Sequence, residues 1–242
     1  MSNHSRISQS ISPRGKALAV AIFARAPSPG RTKTRLIPLL GARGAADFQA
    51  ALLSDAVRKV RTLRGRIARY LFLAGGDSAH RQASSNFTLL TQRGRDLGER
   101  LTRAFHQLLR GHPAAVVIGT DSPLLAPKIL RQAMAELRVA EAVLGPCPDG
   151  GYYLIGLRRL SPSLLARIRW GTARAFDDTL RNLLKNNFCV SILEPLADVD
   201  RPEDFRSLAK ELIRSAAARR AAPAVWKFVK ARGGAGNCPR RA

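Results

Sequence analysis

The amino-acid sequence predicts an α/β fold, in which helices cover both faces of a mostly parallel β-sheet. Two observations support this prediction. Short apolar runs alternate along the chain with segments of helical periodicity, and several runs are apolar on both faces, as strands between two helix layers are. The 242 residues, with 45% hydrophobic and 24% charged side chains, have the composition of a globular protein and are enough for one substantial domain.

Seven apolar runs predict the strands of this sheet. They are Ala17–Ala24, Ala68–Ala74, Phe87–Thr91, Ala115–Gly119, Ala142–Gly145, Tyr152–Leu157 and Phe188–Leu193. The first run follows Arg14 and Lys16 and could also be the apolar region of a signal peptide. Cleavage near Ala26 would then cut into the most motif-like loop of the chain, so we interpret the run as a strand.

Helical periodicity fills the intervals between these runs. Apolar residues recur every four positions at Phe48, Leu52, Ala56 and Val60, and again at Leu97, Leu101, Phe105 and Leu109. Each set forms one apolar stripe along a helix. Three further helices are predicted over Pro127–Val139, Thr172–Asn186 and Pro202–Arg219.

The ends of the chain differ in composition from the centre. Residues 1–16 are Ser-rich without periodicity and predict a disordered basic arm, whereas residues 217–242 are rich in Ala, Arg and Gly and predict a flexible basic tail. A single domain is expected over 17–216, with both tails dispensable for folding. The arm has three basic and no acidic residues, and residues 206–242 have ten basic and one acidic, out of a net charge of +24.

A strongly basic chain attracts nucleic acid, anionic lipid or phosphorylated small molecules. The chain has only three Tyr and two Trp, which argues against stacking on nucleic-acid bases. No apolar run approaches the roughly 18 residues that a membrane span needs. Cys147, Cys189 and Cys238 form no paired spacing, which favours reduced thiols and a cytoplasmic location.

The loop after the first strand has the features of a phosphate-binding loop. The segment from Arg25 to Leu36 contains four cations, two prolines, and a glycine at Gly30 that permits close backbone approach. It is not a Walker A loop, because Lys33 is not adjacent to the glycine. An ordinary basic surface loop remains the alternative. In both interpretations Lys33 is expected to face solvent, so its removal should cost little stability.

Acidic residues follow three other predicted strands. Asp121 comes after a buried run, where it could hold Mg²⁺ or Mn²⁺ against a diphosphate, although Asp121 or Ser122 could instead cap the next helix. Asp149 precedes a glycine pair that would permit close approach of a ligand, with Asp149 contacting sugar hydroxyls or an incoming nucleophile, although Asp-Gly also predicts a hairpin. Asp200 precedes a helix that it could cap. Ligands bind beyond the carboxyl ends of the strands in such sheets, so Asp121 and Asp200 could share one metal.

Five motifs in this order resemble the DUF2064 family. They are Phe23-Ala-Arg-Ala-Pro-Ser-Pro-Gly-Arg-Thr-Lys-Thr-Arg-Leu36, Arg95-Asp-Leu-Gly-Glu-Arg100, Ile118-Gly-Thr-Asp-Ser-Pro123, Gly145-Pro-Cys-Pro-Asp-Gly-Gly-Tyr-Tyr-Leu-Ile-Gly156 and Asp198-Val-Asp-Arg-Pro-Glu-Asp204. The resemblance spans about residues 17–205. It implies a GT-A-type glycosyltransferase fold, a three-layer α/β/α sandwich related to nucleotide-diphospho-sugar transferases. Members are described as transferases associated with radical-SAM or selenodomain proteins, some of them linked to arsenosugar biosynthesis.

The resemblance also implies the roles of individual residues. Lys33 and Asp149 would be catalytic. Asp121 and Asp200 would hold Mg²⁺ or Mn²⁺. The nucleotide would contact Ala24, Arg25, Gly30, Lys33, Arg35, Asp96 and Gly98. The donor sugar or acceptor would contact Asp149, Gly150, Gly151 and Tyr152.

The expected function is metal-assisted glycosyl transfer from a nucleotide-diphospho-sugar to a small-molecule acceptor. The alternative is a nucleotidyltransferase of the phospholactate guanylyltransferase type, which joins an NTP to a phosphorylated small molecule; a basic nucleic-acid-binding protein is a weaker third. Two departures from related enzymes stand out, and the first bears on the metal. Asp121 is followed by Ser122-Pro123 rather than completing a D-x-D motif, and Arg201 stands where Thr is usual.

Overall fold

The computed structural model describes residues 17–75 and 86–233. Its strands are β1 (Leu18–Arg25), β2 (Ile67–Ala74), β3 (Thr88–Thr91), β4 (Ala115–Ile118), β5 (Ala142–Pro146), β6 (Tyr152–Leu157) and β7 (Val190–Ile192). Its helices are α1 (Ile37–Arg61), α2 (Leu97–Leu109), α3 (Pro127–Glu136), α4 (Ala175–Lys185), α5 (Pro202–Arg214), α6 (Ala216–Ala221) and α7 (Pro223–Ala231). All seven predicted strands are present.

The strands form one sheet in the order β3-β2-β1-β4-β6-β5-β7. Every neighbouring pair is parallel except the two that involve β6, which runs antiparallel to both β4 and β5. The predicted mostly parallel α/β sheet is therefore confirmed. Because six strands point the same way, their carboxyl ends meet along one edge, and the loops that follow them are gathered there.

The core explains why the central strands are apolar on both faces. Along β1, Val20 and Ile22 pack into one cluster with α1 and α3, whereas Ala21 and Phe23 pack into another with α2 and α4. Successive side chains of a strand point to opposite faces, so both faces must be apolar where helices cover both.

The prediction of a flexible tail from residue 217 is wrong for the residues that the structure describes. α6 and α7 pack on α1 and α5, and Val225 and Val229 of α7 are buried in one apolar cluster with Phe48. The buried carboxylate of Asp55 in α1 accepts hydrogen bonds from the backbone N–H groups of Ala224 (3.1 Å) and Val225 (3.0 Å). It thereby neutralises the amino end of α7.

The helix predicted over Pro202–Arg219 is interrupted at Ser215, which has an extended backbone and accepts a hydrogen bond from the N–H of Ala218 through its hydroxyl. The predicted arm over 1–16, and the end of the tail from residue 234, lie outside the described residues. None of the helices in the described ranges combines the length and the apolar character needed to cross a membrane.

Candidate active site

A cavity of about 460 Å³ opens at the carboxyl edge of the sheet. The end of β1, the loop after it, the start of α2 and the residues after β4 surround it. Four basic side chains line it, namely Arg25, Lys33, Arg95 and Arg100. A concave site with convergent cations at this edge is where an anionic ligand is expected in a sheet of this kind.

Lys33 contacts both of the carboxylates that the sequence predicted to share one metal ion. Its Nζ lies 2.7 Å from Oδ1 of Asp121 and 2.8 Å from Oδ1 of Asp200, and it also donates to the backbone carbonyl of Val199 at 2.7 Å. The backbone of Lys33 is left-handed, with φ of 48°. This uncommon conformation for a residue with a side chain is held by the contacts that its ammonium makes.

The expectation that Lys33 faces solvent is wrong, because its side chain is only 5% exposed. Burial alone would lower the pKa of the Lys33 ammonium, but the charges of Asp121 and Asp200 outweigh that effect and hold the pKa above its usual value. Burial likewise opposes ionisation of Asp200, yet Lys33 and Arg35 hold the pKa of this carboxyl below its usual value. The bridge is therefore a charged ion pair at neutral pH.

The structure separates the capping alternatives. α3 begins at Pro127 after Ala126, so neither Asp121 nor Ser122 caps it. At the start of α5 it is Asp204 that accepts hydrogen bonds from the N–H groups of Asp200 (3.1 Å) and Arg201 (2.7 Å). The carboxylate of Asp200 is thus left to contact Lys33 and Arg35.

Asp96, by contrast, caps the helix that follows it. Its Oδ1 accepts a hydrogen bond of 2.8 Å from the N–H of Glu99 in the first turn of α2. Its other oxygen remains available where Asp96 lines the cavity. Gly98 does not line the cavity; an added Cβ would lie 2.7 Å from Nε1 of Trp170. The lack of a side chain at Gly98 therefore serves the packing of Trp170 on α2.

The turn between β5 and β6 is the hairpin that the Asp-Gly pair predicted. Oδ1 of Asp149 accepts a hydrogen bond of 2.8 Å from the N–H of Gly151. Gly150 has a φ of 85°, and an added Cβ would overlap the carbonyl of Ala173. Tyr152 lines the cavity, but its hydroxyl is buried and makes no hydrogen bond with the described residues.

Asp198 lies in this region too, although the sequence pattern did not predict a role for it. Its carboxylate, that of Asp149 and the thiol of Cys147 offer ligand atoms within 4.8 Å of one another. Burial, together with the charges of Asp149, Asp200 and Asp121, raises the pKa of Asp198 to about 6. The sequence signal that could have identified Asp198 is the spacing Asp198-Val-Asp200, which places one carboxylate on each side of the buried Val199.

These residues fit a hard divalent cation. Four carboxylates gather here, and the positive charge of Lys33 already stands between two of them. Asp198 makes no salt bridge with the basic groups of the described ranges. Burial raises the pKa of the Cys147 thiol to about 12, so this sulfur stays protonated and the carboxylate oxygens are the better ligands.

Not every predicted site residue lines the cavity. Six of them do, namely Ala24, Arg25, Lys33, Asp96, Asp121 and Tyr152, whereas the remainder lie outside its wall. That remainder is Gly30, Arg35, Gly98, Asp149, Gly150, Gly151 and Asp200.

Two glutamines of the cavity wall were not selected from the sequence. The Gln92 amide donates to the carbonyl of Ala24 (3.0 Å), and the Gln49 amide donates to that of Arg25 (3.3 Å). They hold the end of β1 in place.

Comparison with solved structures places this fold among transferases that use nucleotides. A proposed nucleotide-diphospho-sugar transferase from Desulfovibrio desulfuricans G20 is 26% identical, with a TM-score of 0.80 over 88% of this chain and 94% of that one. A cytidylyltransferase from Leptospira borgpetersenii is 14% identical, with a TM-score of 0.56 over 90% and 95%. Rv0371c from Mycobacterium tuberculosis H37Rv is 21% identical, with a TM-score of 0.52 over 80% and 97%.

The particular family follows from the sequence itself. The profile of DUF2064, described as uncharacterized protein conserved in bacteria, matches residues 52–172, which are half of the chain. The chain therefore belongs to the DUF2064 family. No curated protein matches it.

Proposed function

We propose that this protein is a metal-assisted glycosyltransferase that uses a nucleotide-diphospho-sugar donor and a small-molecule acceptor. The likeness to the Desulfovibrio protein, which extends over most of both chains, supports a transferase that uses a nucleotide. The observation that carries the proposal is the bridge of Lys33 to Asp121 and Asp200 at the edge of a cavity lined by cations.

The cavity would take the nucleoside and diphosphate of the donor. Arg25 and Lys33 line the cavity from the end of β1 and the loop after it. Arg95 and Arg100 line it from the region where α2 begins. The guanidinium groups would stabilise the negative charge that develops on the departing nucleoside diphosphate. Lys33 has a different role, because its ammonium donates to Asp121, Asp200 and the carbonyl of Val199 and so fixes the orientation of the two carboxylates.

Asp121, Asp198 and Asp200 would hold the divalent cation, Mg²⁺ or Mn²⁺. When bound, this ion would neutralise the charge of the donor diphosphate. Asp149 lies beside this cluster and is exposed, and one of its oxygens is free of the hydrogen bond to Gly151. It would accept the proton of the acceptor hydroxyl as the oxygen attacks the anomeric carbon and the bond to the diphosphate breaks.

A second candidate function is nucleotidyl transfer, in which a phosphorylated acceptor attacks the α-phosphorus of an NTP and pyrophosphate leaves. The four basic side chains on the cavity wall favour it, since a triphosphate carries more charge than a diphosphate. The fold is shared with cytidylyltransferases, but fold alone does not fix the reaction.

The leaving group distinguishes the two reactions. The full chain is incubated with Mg²⁺ or Mn²⁺ and a panel of UDP-, GDP-, ADP- and dTDP-sugars and NTPs, in the presence of pooled small-molecule acceptors. We expect the wild type to release a nucleoside diphosphate from one nucleotide sugar. The Asp121→Asn variant should not release it. Asp47→Asn, an exposed acidic residue of α1, is the matched control and should retain the activity. Pyrophosphate release from an NTP would select the second function, and neither product would contradict both.

A further inference from the structure

A second cleft lies at the opposite edge of the sheet from the candidate active site. It has a volume of about 720 Å³ and is bounded by the residues before β2, the residues before β4 and the end of α3. β1, β2 and β4 begin at this edge, and the antiparallel β6 ends at it. The cleft is therefore separated from the carboxyl-end loops by the full length of the strands.

Five arginines line this cleft, which we call the arginine cleft. They are Arg64, Arg66, Arg131, Arg138 and Arg158. No acidic residue is among its lining residues. Four of the five side chains are exposed and Arg158 is half-buried, so the guanidinium groups are accessible from solvent. Like charges gathered around one concavity raise the local concentration of anions.

The guanidinium groups of the arginine cleft are available to a ligand. None of the five makes a salt bridge or a side-chain hydrogen bond with a described residue, and the same holds for exposed arginines elsewhere, such as Arg206 and Arg214 of α5. Neighbouring Arg159 instead pairs with Glu141 at 2.6 Å, and Arg169 pairs with Asp178 at 2.7 Å. Glu141 lies near enough to Arg158 for each to feel the other's charge, but its carboxylate is already held by Arg159.

Between the arginines the wall of the cleft is apolar. Its apolar lining residues are Leu18, Ile67, Ala114, Met134 and Leu137, and none of its lining residues is aromatic. A cleft of this volume suits a small molecule, and its apolar wall would cover the uncharged part of such a ligand. Binding of single-stranded nucleic acid commonly uses aromatic side chains for base stacking, which this cleft lacks.

We propose that the arginine cleft binds an oligophosphate group, as a site distinct from the candidate active site. Guanidinium groups bind phosphate oxygens through paired, charge-assisted hydrogen bonds, and several of them can surround two or more linked phosphates. A free oligophosphate and a nucleotide both carry this group. The proposal does not depend on the reaction at the other edge of the sheet.

Calorimetry with pyrophosphate and with ADP tests this proposal. The full chain carries Lys33→Met to weaken the active site, and EDTA removes divalent cations. Arg131→Gln with Arg138→Gln removes two charges from the cleft. Arg206→Gln with Arg214→Gln removes two exposed charges from α5 and is the matched control. Melting temperatures of all variants establish that they are folded.

We expect one equivalent of ligand to bind, with an affinity that falls at least tenfold in the cleft pair and less than twofold in the α5 pair. Tighter binding of ADP than of pyrophosphate would identify a nucleotide as the ligand, and the reverse a free oligophosphate. The absence of binding, or an equal loss in both pairs, would overturn the proposal. So would a 12-nucleotide single strand or duplex that binds the cleft more tightly than both small probes.

Discussion

The ion-pair bridge of Lys33 gives a prediction whose size follows from the structure. Lys33→Met keeps most of the side-chain volume and removes the ammonium that contacts Asp121, Asp200 and the carbonyl of Val199. Breaking a fully buried ion pair typically costs about 3–5 kcal/mol. The two carboxylates are 47% and 41% exposed, however, so water will stabilise them and we expect a loss of about 2 kcal/mol.

A loss of this size corresponds to a melting temperature lower by about 4–8 °C in a domain of this length. Arg35→Met is the control, because Arg35 also contacts Asp200, at 3.2 Å, but is 60% exposed. It should cost less than about 1 kcal/mol. Thermal unfolding at pH 7.5 in EDTA measures both.

Mn²⁺ should then raise the melting temperature of Lys33→Met more than that of the wild type, since the cation would replace the missing positive charge. Equal melting temperatures of wild type and Lys33→Met would refute the argument that the bridge stabilises the site. The cation part would fail if Mn²⁺ raised both proteins equally.

Three further predictions concern other parts of the fold. The pKa of Asp198 is raised to about 6 from 3.8, so the stability that its protonated form contributes is lost as the pH rises from about 4 through 6. We expect Asp198→Asn to stabilise the metal-free protein by about 1 kcal/mol at pH 7.5 and hardly at all at pH 4.5, a modest effect because Asp198 is partly exposed. Thermal unfolding at the two pH values measures this, and equal shifts in melting temperature at both would contradict it. Truncation after Ser215 removes the buried Val225 and Val229 and should cost more than about 3 kcal/mol in urea unfolding, whereas an unchanged midpoint would show that α7 docks without stabilising. Gly150→Ala should lower the melting temperature by several degrees, because its φ of 85° and the Ala173 carbonyl leave no room for a Cβ; the exposed Ala135→Gly in α3, costing about 1 kcal/mol or less, is the comparison.

The sheet could be predicted because its strands are buried by helices on both faces, which leaves a continuous apolar signal in each run. The antiparallel β6 was also predictable in part, since Asp149-Gly150 is a hairpin signal. The gathering of Lys33, Asp121 and Asp200 at one edge follows from parallel topology. The structure brings the three together, and their roles in metal and nucleotide binding remain predictions.

The docking of α6 and α7 could not be predicted from local composition. Val225 and Val229 of α7 are four positions apart, as on one face of a helix, but nothing local shows which surface that face covers. The amino end of α7 is held by Asp55, which lies 169 positions before Ala224. The burial of Lys33 was missed for the same reason. A basic residue in a Pro- and Gly-containing loop usually faces solvent, and only the carboxylates at two distant strand ends make its burial favourable.

The central claim is that the carboxylates around Lys33 create a nucleotide site that depends on a divalent cation. Calorimetry of UDP, GDP and ADP binding with and without Mn²⁺ tests it on the wild type, Asp121→Asn, Asp200→Asn and the control Asp47→Asn. We predict that Mn²⁺ increases the affinity for at least one nucleotide tenfold or more in the wild type and the control, and that both site variants lose this increase. Equal enhancement by Mn²⁺ in all four proteins would contradict the claim.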